Sequence, residues 1–199
     1  GAKILYLIIT IPQLLNHEEQ VVFSWELIAQ LMAYGFVFYG GLIGGVLSVL
    51  IYAIKYNLHF FNLIEILVPV IPLIHSIGRL GCFSAGCCYG KPMDPPFGVH
   101  FHPDSVAPKD ISLFPVQLLE SVLNLILFVV IFVYSRRERR SGQILGLYFI
   151  GYSIIRFILE YFRYDMVRGI FGGLSVSQWI SILLLPVGFY LLKIMKVKE

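Results

Sequence analysis

Charge is what this sequence has least of. Only 14% of its 199 residues are Asp, Glu, Lys or Arg, against roughly 25% in a soluble domain. With 58% hydrophobic residues and a mean hydropathy of +0.81, that scarcity excludes an ordinary water-soluble domain. The alternation of apolar and polar residues over ~10-residue strands that marks a transmembrane barrel is also missing. Apolar residues come instead in continuous runs. There is no internal repeat and no low-complexity segment. Cysteine is scarce too: there are three, all between Ile77 and Pro92, and none belongs to a paired C-x2-C or Cys/His zinc pattern. What remains is the all-α class, a polytopic membrane protein.

Six apolar segments stand out: Ile4–Leu15, Leu27–Ile54, Leu63–Ile77, Val116–Tyr134, Ile144–Tyr161 and Val176–Met195. The first is too short for a comfortable crossing at ~20 residues. The third is short and carries Pro69 and Pro72, which predict a kink. About five to six transmembrane helices are expected, forming one domain over residues 1–199. If the segments alternate, nine of the fifteen basic residues fall on one side: Lys3, Lys55, Arg136, Arg137, Arg139, Arg140, Lys193, Lys196 and Lys198. Arg79, Lys91, Lys109, Arg163 and Arg168 fall on the other. This bias places the R-R-E-R-R loop and the C-terminus in the cytoplasm and the Arg79–Leu113 loop outside it. R-R-E-R-R is read as topogenic, not as a nucleic-acid patch.

The stretch most laden with chemistry is Ile77–Pro92, I-G-R-L-G-C-F-S-A-G-C-C-Y-G-K-P. It is read as a glycine-rich turn following an apolar segment. An arginine so placed is costly unless it faces a polar cavity, a partner or a substrate. Arg79 is therefore a candidate phosphate ligand, since the guanidinium fork suits phosphate; a lipid-bound interfacial arginine is the plainer alternative. Tyr152, Arg156 and Glu160 recur at four-residue spacing and share one helix face. They are either a self-contained ion pair or the polar wall of a headgroup cavity. Glu120 and Gln117 open the fourth apolar segment, where the helix dipole by itself favours a carboxylate. Cys82, Cys87 and Cys88 are open to four readings: packing, a disulfide in an oxidising compartment, a thiolate activated by a neighbouring arginine, or zinc bound with His75, His100 or His102, against which the unrecognised spacing speaks. No metal is expected. In Y-G-G-L-I-G-G, residues 39–45, the Gly40/Gly44 and Gly41/Gly45 pairs suit close helix packing.

Taken together, G-R-x-G-x-F…G at Gly78–Gly90, P-x-Q-L-x-E at Pro115–Glu120, G-Y-x-x-x-R-F-x-x-E-x-x-R at Gly151–Arg163 and L-S-x-x-Q-W at Leu174–Trp179 resemble the prolipoprotein diacylglyceryl transferases. The order holds along essentially the whole chain, including G-A-K-I-L-Y at the start. The resemblance implies that the family's first membrane segments lie upstream of Gly1. It also implies a bacterial inner-membrane enzyme that needs no cofactor. Such an enzyme moves a diacylglyceryl group from phosphatidylglycerol to the thiol of a lipobox cysteine in a preprolipoprotein, and glycerol phosphate leaves. The partners implied are the phospholipid, the preprolipoprotein and the bilayer, with no nucleic acid. Arg79 and Arg156 match the family's arginines and Glu160 its carboxylate. Gly90 matches the last glycine of the loop, and Tyr152 the tyrosine before the second arginine.

The chain also departs from the pattern. Cys82, Ala85 and Cys87 stand where the family has Asn, Asn and Glu, Tyr39 replaces a His, and Phe114 stands where a His often precedes Pro115. Tyrosine, with a pKa near ~10, is a poor base at neutral pH. The expected catalytic set is Arg79, Arg156, Glu160, Tyr39, Cys82 and Cys87, with Gly90, Gln117 and Tyr152 binding substrate. Two other functions remain open: a thiol-redox protein pairing Cys82 with Cys87 or Cys88, and a lipid-binding module that has lost its chemistry.

Overall fold

The computed structural model of the chain describes residues 1–16, 25, 38–137, 142–164 and 170–194. Seven α-helices lie among them: α1 (Ala2–Asn16), α2 (Phe38–Lys55), α3 (Phe60–Leu67), α4 (Val70–Ala85), α5 (Val116–Ser135), α6 (Gln143–Leu159) and α7 (Val176–Ile194). A 3-10 turn, Glu160–Phe162, continues α6, and a small hairpin, β1 (Ile170–Phe171) with β2 (Leu174–Ser175), precedes α7. The contacts divide into two compact units, Gly1–Leu63 and Ile64–Glu199.

In the first unit α1 packs on α2. The small residues do what their spacing suggested, but on one side only. A methyl group on Gly40 would meet Gly1 O and Leu5 Cβ at 2.7 Å, and one on Gly44 would meet Gly1 Cα at 3.1 Å. Gly45 faces nothing within 4 Å. The opening segment is a regular helix of 15 residues, still shorter than a crossing. Residues 27–37 of the second apolar segment, Arg139, Arg140 and Arg168 lie outside the described residues.

The second unit contains three helices long and apolar enough to cross a membrane: Val116–Ser135, Gln143–Phe162 and Val176–Lys193. A fourth crossing arises if α3 and α4, bent by 41° at their junction, are one broken span. Among the described residues the count is thus three or four rather than the five to six expected. The bend falls where Pro69 precedes α4, as the prolines required. The active stretch is not the turn its glycines suggested. Ile77 to Ala85 continue α4, and the chain turns only at Gly86. In an apolar setting a helix satisfies its backbone internally, so helical propensity penalties at Gly78 and Gly81 yield to hydrogen bonding.

The inner face of α5 explains how a strongly apolar helix builds a polar site. Gln117, Glu120, Ser121 and Asn124 are all buried. Their i, i+3, i+4, i+7 spacing makes one stripe. One turn further, Leu127 and Ile131 continue the same side into an apolar cluster with Val68 and Ile144. Buried Glu65, on α3, accepts the backbone N–H groups of Ile144 (3.1 Å) and Leu145 (3.4 Å) through one oxygen. It thereby caps the first turn of α6, whose N–H groups have no intrahelical acceptor. At α7, Ser175 and Gln178 form a reciprocal capping box: Ser175 N–H donates to Gln178 Oε1 (3.0 Å) and Gln178 N–H to Ser175 Oγ (3.2 Å). Trp179 Nε1 donates to Phe171 O at 2.9 Å and ties the hairpin down. The L-S-x-x-Q-W motif is therefore a helix start, and it delivers Ser177 to the site.

Candidate functional site

Three helices each contribute one stripe. His75, Arg79 and Cys82 follow one another at four and three residues on α4; Gln117, Glu120 and Asn124 do so on α5; Tyr148, Tyr152, Arg156 and Glu160 run along α6 into its 3-10 end. The stripes meet at one carboxylate oxygen. Glu120 Oε1 lies 3.0 Å from Arg79 Nη2, 3.7 Å from Arg156 Nη1 and 3.5 Å from His75 Nε2. Arg156 Nη2 also reaches Glu160 Oε2 at 3.0 Å and donates to Ser177 Oγ at 3.1 Å. Glu120 is 1% exposed and Arg156 9%.

Burying four charges is costly, and the cost is contained here because two guanidiniums face two carboxylates. The pairing does not exhaust the arginines. Among the described residues, Arg79 Nε and Arg156 Nη1 are buried without a hydrogen-bond acceptor. Buried donors of this kind are expected to have partners, and Arg156 Nη1 has only the 3.7 Å ion pair with Glu120. Behind them Tyr152 stacks on Tyr148 at 5.7 Å between centroids and stands 5.4 Å from the His75 ring. Ser121 Oγ donates to Ser76 O at 2.9 Å and joins α5 to α4, and Asn124 Nδ2 returns to Glu120 O at 2.8 Å.

The cysteines form a second group one turn along α4. Gly86 takes φ +66° and closes the helix in the left-handed conformation, with Cys87 N–H donating to Cys82 O at 3.1 Å. This C-terminal cap folds Cys87 and Cys88 back over Cys82, and Cys88 itself has φ +59°. The Sγ atoms of Cys82, Cys87 and Cys88 all lie within 4.8 Å of one another, and all three are free, half-buried thiols. Sequence spacing argued against a metal set; the cap brings the sulfurs together regardless. Arg79 Nη1 stands 3.9 Å from Cys82 Sγ, so the two groups touch. Burial, then the neighbouring Cys88 and Cys82, push the Cys87 thiol up to about 12. Alone it is protonated at neutral pH and is neither base nor nucleophile.

Of the expected residues, the structure brings together Arg79, Arg156, Glu160 and Tyr152, with Cys82 alongside. Gln117 is fully buried, and its Nε2 donates to Cys87 O at 2.8 Å. It fastens the cysteine turn to α5. Gly90, expected to bind substrate, is tightly packed: its N–H donates to Phe114 O at 3.0 Å, and a methyl group there would meet Phe162 O at 2.9 Å. Tyr39 lies near the start of α2 in the first unit, and its side chain is outside what is described. Glu120 was missed as a site residue. The helix-dipole account of it fails, because α5 has no acid in its first turn. His75 and Ser177 were missed too. The available signal was four polar residues at helical spacing inside a span of hydropathy 2.4.

A family model described as prolipoprotein diacylglyceryl transferase matches residues 1–194. The phosphatidylglycerol–prolipoprotein diacylglyceryl transferase of Clostridium tetani is 38% identical over 194 residues, covering 98% of this chain and 74% of that protein. Transferase 2 of the same description from Clostridium perfringens is 36% identical over 198 residues, covering 100% and 74%. That of Bordetella avium is 36% identical over 172 residues, covering 84% and 61%.

Proposed function

Because the chain belongs to the prolipoprotein diacylglyceryl transferase family, we infer that it is a membrane transferase that moves a diacylglyceryl group from phosphatidylglycerol to a prolipoprotein. The observation that supports the mechanism is the pair of buried guanidiniums converging on Glu120 Oε1, Arg79 at 3.0 Å and Arg156 at 3.7 Å, with Arg79 Nε lacking a hydrogen-bond acceptor among the described residues.

In this reading the phosphate of the donor lipid enters between Arg79 and Arg156 and accepts from both guanidiniums. Attack by the acceptor thiol on the glyceryl carbon makes a C–S bond and breaks the C–O bond to phosphate, and the thiol proton passes to water or to the departing phosphate. The electron pair leaves on the phosphate oxygen of glycerol phosphate. Fixed guanidiniums stabilise that departing charge more than the diester, which is the differential binding catalysis requires. Glu120 holds the two arginines in register, Glu160 and Ser177 hold Arg156, and Tyr152 lines the headgroup side. Cys82 and Cys87 take the acceptor side, where the family's polar residues are replaced. The acceptor is a lipobox cysteine and nucleic acid has no part. Residues 1–199 act as one transmembrane domain of the bacterial inner membrane, with the R-R-E-R-R loop and C-terminus cytoplasmic and the loop after α4 outside.

The test is transfer of label from phosphatidylglycerol in liposomes to a lipobox peptide by the full protein. Label on the peptide cysteine, absent with a serine peptide and with R79A or R156A, is the expected result. Label retained in lipid with wild-type protein would refute the reading.

A further inference from the structure

The three sulfurs have no role in the arginine chemistry, and their arrangement is unusual for residues of plain packing. Three thiols from one helix end are gathered by a glycine cap, locked by Gln117 Nε2 on Cys87 O at 2.8 Å, and set beside a guanidinium 3.9 Å from Cys82 Sγ. A disulfide does not use this geometry well. Adjacent Cα atoms are ~3.8 Å apart, short of the usual separation for a bridge, so Cys87 and Cys88 cannot pair without distortion. Pairing Cys82 with either one leaves an odd thiol.

A thiophilic ion uses all three. Zinc binds thiolates at about 2.3 Å, which puts three of them roughly 3.8–4.0 Å apart around the ion. The sulfurs already lie within 4.8 Å, so rotamer adjustments of under about 1 Å close the site. Soft thiolates select such ions over hard ones, and the negative charge of a tris-thiolate centre is offset by Arg79.

We propose that Cys82, Cys87 and Cys88 hold a zinc-class divalent ion whose open fourth position receives the acceptor thiol. The proposal rests on the transferase reading for its second half. Three protein ligands and one exchangeable position are the arrangement of a catalytic rather than a structural zinc site. A thiol entering that position loses its proton to water outright. The bound thiolate then attacks the glyceryl carbon while the phosphate leaves toward Arg79 and Arg156. The C–S bond replaces the C–O bond, nothing is oxidised or reduced, and the thioether product is a poorer ligand and departs. The ion would thus supply the acceptor activation that the family's His, Asn and Glu positions no longer carry in this chain.

The experiment loads the full protein, reduced and in detergent, with Co2+ as a probe, and separately with Zn2+. A sulfur-to-cobalt charge-transfer band at roughly one ion per chain is expected, with each of C82S, C87S and C88S weakening binding at least about tenfold. Because a variant can simply fail to fold, the wild-type protein gives the second measurement: Zn2+ protects all three thiols from alkylation together. A cysteine peptide, but not its serine counterpart, then changes the cobalt spectrum. No band and equal alkylation with and without Zn2+ would overturn the site, as would C88S binding like wild type. A Cys82 disulfide in protein isolated without reductant would overturn it in favour of the redox reading. Transfer unchanged in ion-stripped protein would sink the inference and leave the transferase standing. Absence of transfer with and without the ion would sink the transferase reading and the acceptor role, while band and protection still decide the ion site.

Discussion

The arginine group and the cysteine group touch through Arg79 and Cys82, yet they are built on opposite principles. The arginine group is assembled from far along the chain, α4, α5, α6 and α7, around one oxygen of Glu120. Each guanidinium is tied to a carboxylate, so removing any member leaves a buried charge uncompensated. The cysteine group is local. It depends on one helix cap and one cross-helix bond from Gln117. The difference is that the electrostatic half is fixed by contacts between distant helices, whereas the thiol half is fixed by one helix end.

The largest effect should come from breaking the arginine half. R156A removes a donor to the departing phosphate, and transfer from phosphatidylglycerol should fall by about 10²–10³-fold in kcat. R156K should rescue little, because a point charge cannot serve Glu160, Ser177 and the substrate together. E120Q comes next. It keeps the shape but removes the charge shared by two guanidiniums, and destabilisation of about 3–5 kcal/mol is expected from thermal unfolding in detergent. An E120Q protein as stable as wild type would show that the convergence on Oε1 is incidental.

Smaller effects should separate the two halves. Q117L loses the bond to Cys87 O while leaving the arginines alone. Ion affinity at the three cysteines should drop about 10–100-fold, and phospholipid binding should not change. Equal losses in both would mean the halves are not independent. The smallest change is E65Q, far from either group. The helix α6 loses a charged cap worth about 1 kcal/mol, read as a small fall in Tm with kcat intact.

Much of this was legible beforehand for local reasons. Arg156 and Glu160 meet because residues four apart on a helix are neighbours, and they do meet, at 3.0 Å. The kink followed from Pro69. Arg79 was singled out because charge is scarce near an apolar run. Glu120 was harder to read, since a carboxylate near a helix start invites a dipole explanation, which fails because α5 begins at Val116 and has no acid in its first turn. Gly78 and Gly81 suggested a turn because glycine usually does, whereas the apolar surroundings kept them helical.

By itself, the sequence determined the membrane class, the apolar segments Val116–Tyr134, Ile144–Tyr161 and Val176–Met195, which fold as spans over Val116–Ser135, Gln143–Phe162 and Val176–Lys193, and the family. Composition, apolar run length and helical spacing are properties of short stretches and need no partner. Only the tertiary structure decided that Arg79, Arg156 and His75 share one oxygen of Glu120 and that three thiols separated by C-x4-C-C spacing form one cluster. Those are meetings in space, fixed by helix packing and by a left-handed cap at Gly86, and nothing in linear order records them.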